Sequence, residues 1–251
     1  MKERLDKLLL ERDIVSDYQK ARALVMAGMV VVNGKKIDKI GTKVDPGSDI
    51  YLKGDKNPYV SRGGLKLDGA LNEFQVDLKG KTAMDVGAST GGFTDCLLGR
   101  GVKRIYAVDV GYGLLAWKIK QDPRVVNLER RNIRYLDRNE IREEIDLAVI
   151  DVSFISLKVV LPKVVYLTGP GAAIIALIKP QFEVKKGEVG EGGVVREENK
   201  RKRVIAEIIR FSEEIGLEPL GISQSVLTGP KGNREFFVYL KKKESELENR
   251  K

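Results

Sequence analysis

Thr82-Ala83-Met84-Asp85-Val86-Gly87-Ala88-Ser89-Thr90-Gly91-Gly92-Phe93 reads as a short apolar strand that ends in an acid and a glycine, followed by a glycine loop and the start of a helix. Glycines at such a turn let the backbone approach a ligand closely, and the helix behind it turns an electropositive N-terminus toward the loop. About eighteen residues past Gly91, Ile105 to Val108 form a second strand that ends in Asp109, where a carboxylate can accept hydrogen bonds from ribose hydroxyls. A nicotinamide dinucleotide fold would use the same two features. This loop, however, lacks G-x-G-x-x-G and places an acid just before its first glycine. That charge suits a cationic cofactor with an amino-acid moiety better than a pyrophosphate. The expected cofactor contacts are therefore Asp85, Gly87, Ala88, Ser89, Gly91, Gly92, Phe93 and Asp109, with Asn132, after the third strand, against an adenine. Strand capping by the two acids and a turn role for Asn132 are the plainer alternatives.

Downstream, strand patterns at 82–86, 104–109, 125–128, 146–151, 172–178, 218–226 and 235–241 alternate with helical patterns at 65–74, 92–99, 112–120, 156–166 and 196–215. This alternation predicts an α/β domain of Rossmann-like fold, with a mostly parallel seven-stranded sheet covered on both faces. Upstream, helical spacing at 4–12 and 17–27 precedes a strand at Met29-Val30-Val31-Val32, a tight turn at Asn33-Gly34, and short strands around Lys36-Ile37 and Asp49 to Leu52. Ser16 is the expected cap of the second helix and Gly28 its stop. The breaker-rich stretch 54–64 marks a junction. The expected organisation is a small α+β domain at 1–57, a linker at 58–64, the α/β domain at 65–243 and a charged tail at 244–251.

The 251 residues carry 45 Lys and Arg against 36 Asp and Glu, a net charge of +9 that favours an anionic partner such as nucleic acid. Cys96 is the only cysteine and histidine is absent, which excludes a disulfide framework, zinc or other His-metal sites and Ser-His-Asp catalysis. No metal is expected. The N-terminus lacks the apolar stretch of a signal peptide and the longest apolar run is Ala172 to Ile178, so a soluble, cytoplasmic chain with no membrane partner is expected.

Acid-base work must then fall to other groups, and four ionisable residues stand out: Lys66 in the first helix of the α/β domain, Asp151 ending the fourth strand, Lys179 ending the fifth and Glu235 opening the last. Open α/β sheets place ligands at strand carboxyl ends, so Asp151 and Lys179 are expected to meet beside the cofactor. A surface salt bridge is the alternative for each. Asp151-Val152-Ser153-Phe154 departs from the Asp/Asn-Pro-Pro-aromatic motif of base amino methyltransferases, and Cys96, inside a helix, reads as packing rather than as a nucleophile.

Together with Asp85-x-Gly-Ala-x-x-Gly-Gly-Phe93, the Lys66, Asp151, Lys179 and Glu235 set resembles the FtsJ-like ribose 2′-O-methyltransferases. The first fifty residues resemble an S4 RNA-binding domain in Arg4-Leu5-Asp6, Ala21, Gly28, Val30, Val32-Asn33-Gly34, Val44 to Gly47 and Asp49-Ile50. With Tyr59-Val60-Ser61-Arg62-Gly63-Gly64-x-Lys66-Leu67 and Gly192-Gly193-Val194-Val195-Arg196, nearly the whole chain is similar to the TlyA (hemolysin A) family of rRNA methyltransferases. The resemblance implies S-adenosylmethionine as cofactor, ribosomal RNA or ribosomal subunits as partner, and a cytidine as target. It makes Arg4, Arg12, Lys20, Arg22, Lys35, Lys36 and Arg62 the expected RNA contacts, mostly to phosphates. It makes Lys66, Asp151, Lys179 and Glu235 the expected catalytic set, with Lys179 steering the 2′-hydroxyl and its proton, Lys66 favouring alkoxide character and the two carboxylates holding both ammonium groups. The segment 181–195 is expected to act as a lid. Two other readings remain at this point: an inactive RNA-binding assembly factor and a membrane-acting cytolysin.

Overall fold

A computed structural model describes residues 2–244 except 13, 34, 47, 49, 55 and 56, so the Asn33-Gly34 turn, the start of the Asp49 strand, part of the 54–64 junction and nearly all of the tail lie partly or wholly outside the described residues. The small N-terminal part runs β1 Glu3–Arg4, α1 Leu5–Glu11, α2 Tyr18–Met26, β2 Val30–Val32, β3 Lys35–Ile37, β4 Lys43–Val44 and β5 Ile50–Leu52. Strands pair antiparallel as β3-β2-β5 and as β1-β4. Leu5, Leu8 and Leu9 of α1 and Ala21 and Val25 of α2 close over Val30, Val32 and Ile50, giving this part a core of its own. The helical spacing that predicted the two helices is thus the spacing of their buried faces.

One expectation fails here for a local reason. Asp17, not Ser16, caps α2, its side chain accepting from the backbone N–H of Lys20 at 2.8 Å, while the Ser16 hydroxyl donates to Asp17. A carboxylate one residue nearer the helix wins that position. Arg12, expected among the RNA contacts, is 5% exposed: its guanidinium donates to the carbonyls of Ser48 (2.6 Å) and Pro46, and it lines a cleft together with Gly87, Gly92 and Lys179. It fastens the end of α1 to the chain before β5. Lys20, Arg22, Lys35 and Lys36 are exposed, and Arg4 is half-exposed beside Asp6 at 2.7 Å.

The larger part runs α3 Arg62–Phe74, β6 Thr82–Val86, α4 Gly92–Gly99, β7 Arg104–Val108, α5 Trp117–Lys120, β8 Val125–Leu128, β9 Leu147–Ile150, α6 Leu157–Leu167, β10 Ala173–Ile178, α7 Pro180–Glu183, α8 Glu198–Glu214, β11 Leu217–Gln224 and β12 Phe236–Lys242. Its seven-stranded sheet has the order β11-β12-β10-β9-β6-β7-β8, parallel from β10 to β8, with β12 antiparallel to both of its neighbours. Strand parity divides the interior in two. Ala83, Ile105, Ala107, Leu147, Val149, Ile175 and Phe237 face α3 and α4, while Met84, Val86, Tyr106, Val108, Ala148, Ile150 and Val238 face α6 and α8. Burial on both faces explains why these strands read as continuous apolar runs.

The sequence pattern at 112–120 promises a longer helix than the four residues of α5. The stretch before it is instead held to its surroundings: Asp109 accepts from Gly111 N–H (2.7 Å), the Gly111 carbonyl accepts from Arg130 N–H (2.9 Å), and Ala116 N–H donates to Thr90 (3.1 Å). Backbone groups committed elsewhere cannot start a helix. Trp117, at the head of α5 and 67% exposed, lines a groove with Lys118 and Lys120 whose opposite wall is Asn33, Asp45 and Ser48 of the small part.

Replacing Arg12 with Ala leaves two carbonyls without their donor and is expected to cost about 2–4 kcal/mol, whereas Lys20→Ala and Lys36→Ala should stay within about 0.5 kcal/mol of the parent. Urea unfolding followed by circular dichroism measures all three; an Arg12→Ala variant as stable as the parent would sink the assignment.

Candidate active site

The strand order reverses at the middle of the sheet: β7 and β8 lie on one side of β6, β9 and β10 on the other. A crevice opens outside the carboxyl ends of strands at such a switch point. Gly87 follows β6 and Asp151 follows β9, and the two ends approach so closely that a Cβ on Gly87 would lie 2.2 Å from the Asp151 carbonyl oxygen. Gly92 is fixed in the same way, since a Cβ there would meet Ser61 Oγ at 2.1 Å and the Gly64 backbone at 3.0 Å. The glycines thus join the start of α4 to the start of α3 as well as shaping the loop.

Two clefts meet at this point. One, of about 490 Å³, has an apolar floor of Val86, Val108, Ile133 and Val160 under a rim that includes Asp109 and Asn132. The other is walled by Ser61, Gly63, Ala88, Thr90, Gly92 and Phe93 and reaches Lys179. Gly87, Ser89, Asp151 and Ser153 line both. Asp109 holds the loop in shape: one oxygen accepts from Ser89 N–H at 2.8 Å, the other from Gly111. Asn132 lines the larger cleft while its side-chain oxygen accepts from Arg134 N–H at 3.1 Å, so its turn role and its place at the rim hold together.

Asp85 differs from expectation. It has the parity of Ala83, so its side chain enters the α3–α4 face, where it is fully buried and accepts from the Thr94 hydroxyl at 2.6 Å. It lines neither cleft. Its other oxygen is buried without a hydrogen-bond partner. Burial pushes its pKa up to about 7, helped by the nearby Asp151 and Asp109 charges and opposed by the Thr94 hydrogen bond.

The four ionisable residues form two pairs. Lys66 Nζ lies 2.9 Å from Glu235 Oε2, with both side chains almost wholly buried. Glu235 stands two residues before Phe237 and shares its face, which brings it to α3. Lys179 Nζ lies 2.6 Å from Asp151 Oδ1 and donates to Ser153 Oγ at 2.9 Å. Gln181 links the pairs, two residues after Lys179 and donating to Glu235 Oε1 at 3.4 Å. Ser153 was missed as a partner because its motif was read only for what it excluded. Phe154 was missed as well: it is 90% exposed at the edge of the larger cleft and packs on Phe182 with ring centroids 4.9 Å apart. Cys96 is buried, and burial pushes its thiol up to about 12.

The segment expected as a lid is anchored at several points. Glu183 accepts from Leu157 N–H (2.7 Å) and from the Ser156 hydroxyl, Glu188 pairs with Arg203, and Val195 N–H donates to Asn233 (3.1 Å).

A mostly parallel seven-stranded sheet with a glycine loop at its switch point is the fold of a methyltransferase. The chain belongs to the FtsJ-like methyltransferase family, whose model matches residues 59–242, and an S4 domain model matches residues 3–50. It is 48% identical over 240 residues to YqxC of Bacillus subtilis, assigned as an rRNA methyltransferase, covering 95% of this chain and 85% of that one. It is 44% identical over 239 residues to the 16S/23S rRNA (cytidine-2′-O)-methyltransferase TlyA of Mycobacterium tuberculosis, covering 95% and 89%. A solved structure from Streptococcus thermophilus, described as a hemolysin, superposes with a TM-score of 0.86 at 42% identity, covering 97% of this chain and 90% of that one.

Because Asp85 is raised, its protonated form stabilises the fold at low pH and that contribution is lost as pH rises from about 4 through about 7. Asp85→Asn, which cannot ionise, is expected to gain on the parent by a few kcal/mol between pH 5 and pH 8. Urea midpoints of both proteins at the two pH values test this; an unchanged difference would refute it.

Proposed function

We propose that this chain transfers a methyl group from S-adenosylmethionine to the 2′-hydroxyl of a cytidine in ribosomal RNA. The observation that carries the reading is the Lys179–Asp151 pair, at 2.6 Å, in which Asp151 lines both clefts and Lys179 the smaller one. The larger cleft falls within the usual size range of about 300–1,000 Å³ for small-molecule sites. Its apolar floor suits an adenine, the carboxylate of Asp109 suits ribose hydroxyls, and Asp151 offers negative charge where a sulfonium and an ammonium would need it. When bound, S-adenosylmethionine supplies a methyl group that its sulfonium has already activated.

The work left to the protein is to place an alcohol oxygen and receive its proton. A ribose hydroxyl is a poor nucleophile at neutral pH, so in-line positioning, worth up to about 7–11 kcal/mol, outweighs proton transfer, worth about 10² to 10⁴ in rate. Lys179 is the side chain that reaches the cleft. Asp151 and Ser153 fix its amine in direction. Behind it, Lys66 and Glu235 form a buried pair that Gln181 joins to the same strand end, so Lys66 acts on Lys179 as a fixed charge rather than by contact. Asp85, under the loop, supports α4 instead of touching the cofactor.

Substrate RNA is bound through the S4 domain. Lys20, Arg22, Lys35 and Lys36 are exposed there for phosphates, with Arg4 half-exposed and Arg62 half-buried at the start of α3. Phe154 and Phe182 present aromatic faces at the mouth of the cleft, a surface on which an unstacked base can rest. Among the described residues no helix is long and apolar enough to cross a membrane.

Lys179→Ala is expected to lower methyl transfer at least about 10²-fold while cofactor affinity stays within about threefold. Mass-spectrometric mapping of methylated nucleotides after reaction with each ribosomal subunit, with calorimetry for cofactor binding, measures both. Turnover within tenfold of the parent would remove Lys179 from the mechanism, and no methylated ribose in either rRNA would remove the function.

A further inference from the structure

Beside the last strand, a cavity of about 350 Å³ opens between the chain at 194–196 and the turn at 230–234. Its lining carries four cations, Arg196, Arg201, Lys231 and Arg234, and no carboxylate. Like charges gathered around one hollow repel each other unless an anion joins them. Arg201 is 8% exposed and is held by the carbonyls of Val195 (3.0 Å) and Arg196 (2.6 Å). Arg196, Lys231 and Arg234 are exposed and make no ion pair among the described residues. The neighbouring acid, Glu198, pairs with Lys202 at 2.7 Å, and its carboxyl is held below the usual range first by Lys202 and then by the charges of Arg201 and Arg234, with no ion pair to either arginine among the described residues.

The arrangement is built, not incidental to a flexible surface. Asn233, 3% exposed, accepts from Val195 N–H at 3.1 Å and donates to the Gly193 carbonyl at 3.0 Å, so one buried amide fastens both walls. Lys231 is held at φ 58°, in the left-handed region that a lysine rarely adopts. The turn that carries it also lies on the buried pair, since a Cβ on Gly229 would sit 2.0 Å from Glu235 Oε1. Arg234 is the residue before Glu235. The cavity is therefore fixed to the Lys66–Glu235 pair by the shortest possible stretch of chain.

We propose that this cavity is a phosphodiester site that grips the substrate RNA next to the nucleotide being modified, with Arg196, Lys231 and Arg234 as the contacting groups and Arg201 as the buried cation behind them. The proposal rests on the methyl-transfer reading above and adds a positioning contact to it. A phosphate held here would add affinity for the strand beside the modified nucleotide, independently of the grip of the S4 domain.

The test uses the full chain with deproteinised 16S and 23S rRNA, measuring RNA affinity by filter binding over a range of salt and, separately, KM and kcat for methyl transfer. Arg196→Gln with Arg234→Gln together, and Lys231→Gln alone, are expected to weaken RNA binding about tenfold and to flatten the log–log salt dependence by about one for each phosphate no longer neutralised. KM for RNA should rise in step, with kcat and cofactor affinity unchanged and with Arg234→Lys retaining most of the binding. Lys202→Gln, which removes one charge from the neighbouring helix face, should leave all of these unchanged. Parent-like affinity and salt slope in both variants would overturn the site, as would an equal loss in Lys202→Gln. If the double variant does not fold, Lys231→Gln decides by the same two readouts. A parent protein that methylates neither rRNA, whether deproteinised or within its ribosomal subunit, would sink the methyl-transfer reading, while the binding arm still decides the phosphate site.

Discussion

Lys66 and Glu235 are two charges that a protein interior ordinarily excludes, buried together 169 positions apart in the chain. Each is tolerable only in the presence of the other, because an ammonium or a carboxylate left alone at that depth carries a desolvation cost of several kcal/mol. Their contact therefore requires α3, at the entry to the α/β domain, and β12, its last strand, to be in register before either can be buried. The rest of the site follows from that closure. The turn at 229–232 rests on Glu235, Gln181 reaches it from the strand end that carries Lys179, and Lys179 pairs with Asp151 at the end of the neighbouring strand.

Strand parity decides which side chains reach the cleft and which are hidden. On β6, Met84 and Val86 face α6 and α8, and Asp85 faces α4, where Thr94 receives it. An acid that looks in one dimension like a neighbour of the cofactor is in three dimensions a buried prop beneath the glycine loop. The carboxylates that do line the larger cleft, Asp109 and Asp151, each lie just past a strand end, where parity no longer binds them. This separation leaves one acid beneath the loop and two on the wall of the cleft.

Most of the architecture was legible in the sequence, because it is written in periodicities. Alternating strand and helix patterns gave the seven strands, and the apolar stripes of α1 and α2 gave the small domain. What was not legible depended on contacts between distant segments. The short α5 reflects backbone hydrogen bonds from 109, 90 and 130 that no local pattern records, and the burial of Arg12 reflects carbonyls of residues 46 and 48. Of the candidate site, the four ionisable residues could be named in advance, but their division into a deep pair and a cleft-facing pair could not. Asp85 was readable in principle, since its parity with Ala83 already pointed it away from the ligand face.

Trp117 is the only tryptophan in the chain, and its half-open groove has residues of the small domain for its far wall. An indole in that position is a built-in optical gauge of how the two domains sit against each other: its emission colour responds to the water it sees, and no other indole contributes to the signal. Opening or closing of the seam, whether driven by temperature or by a bound polynucleotide, can thus be followed in the unlabelled protein without altering a single side chain.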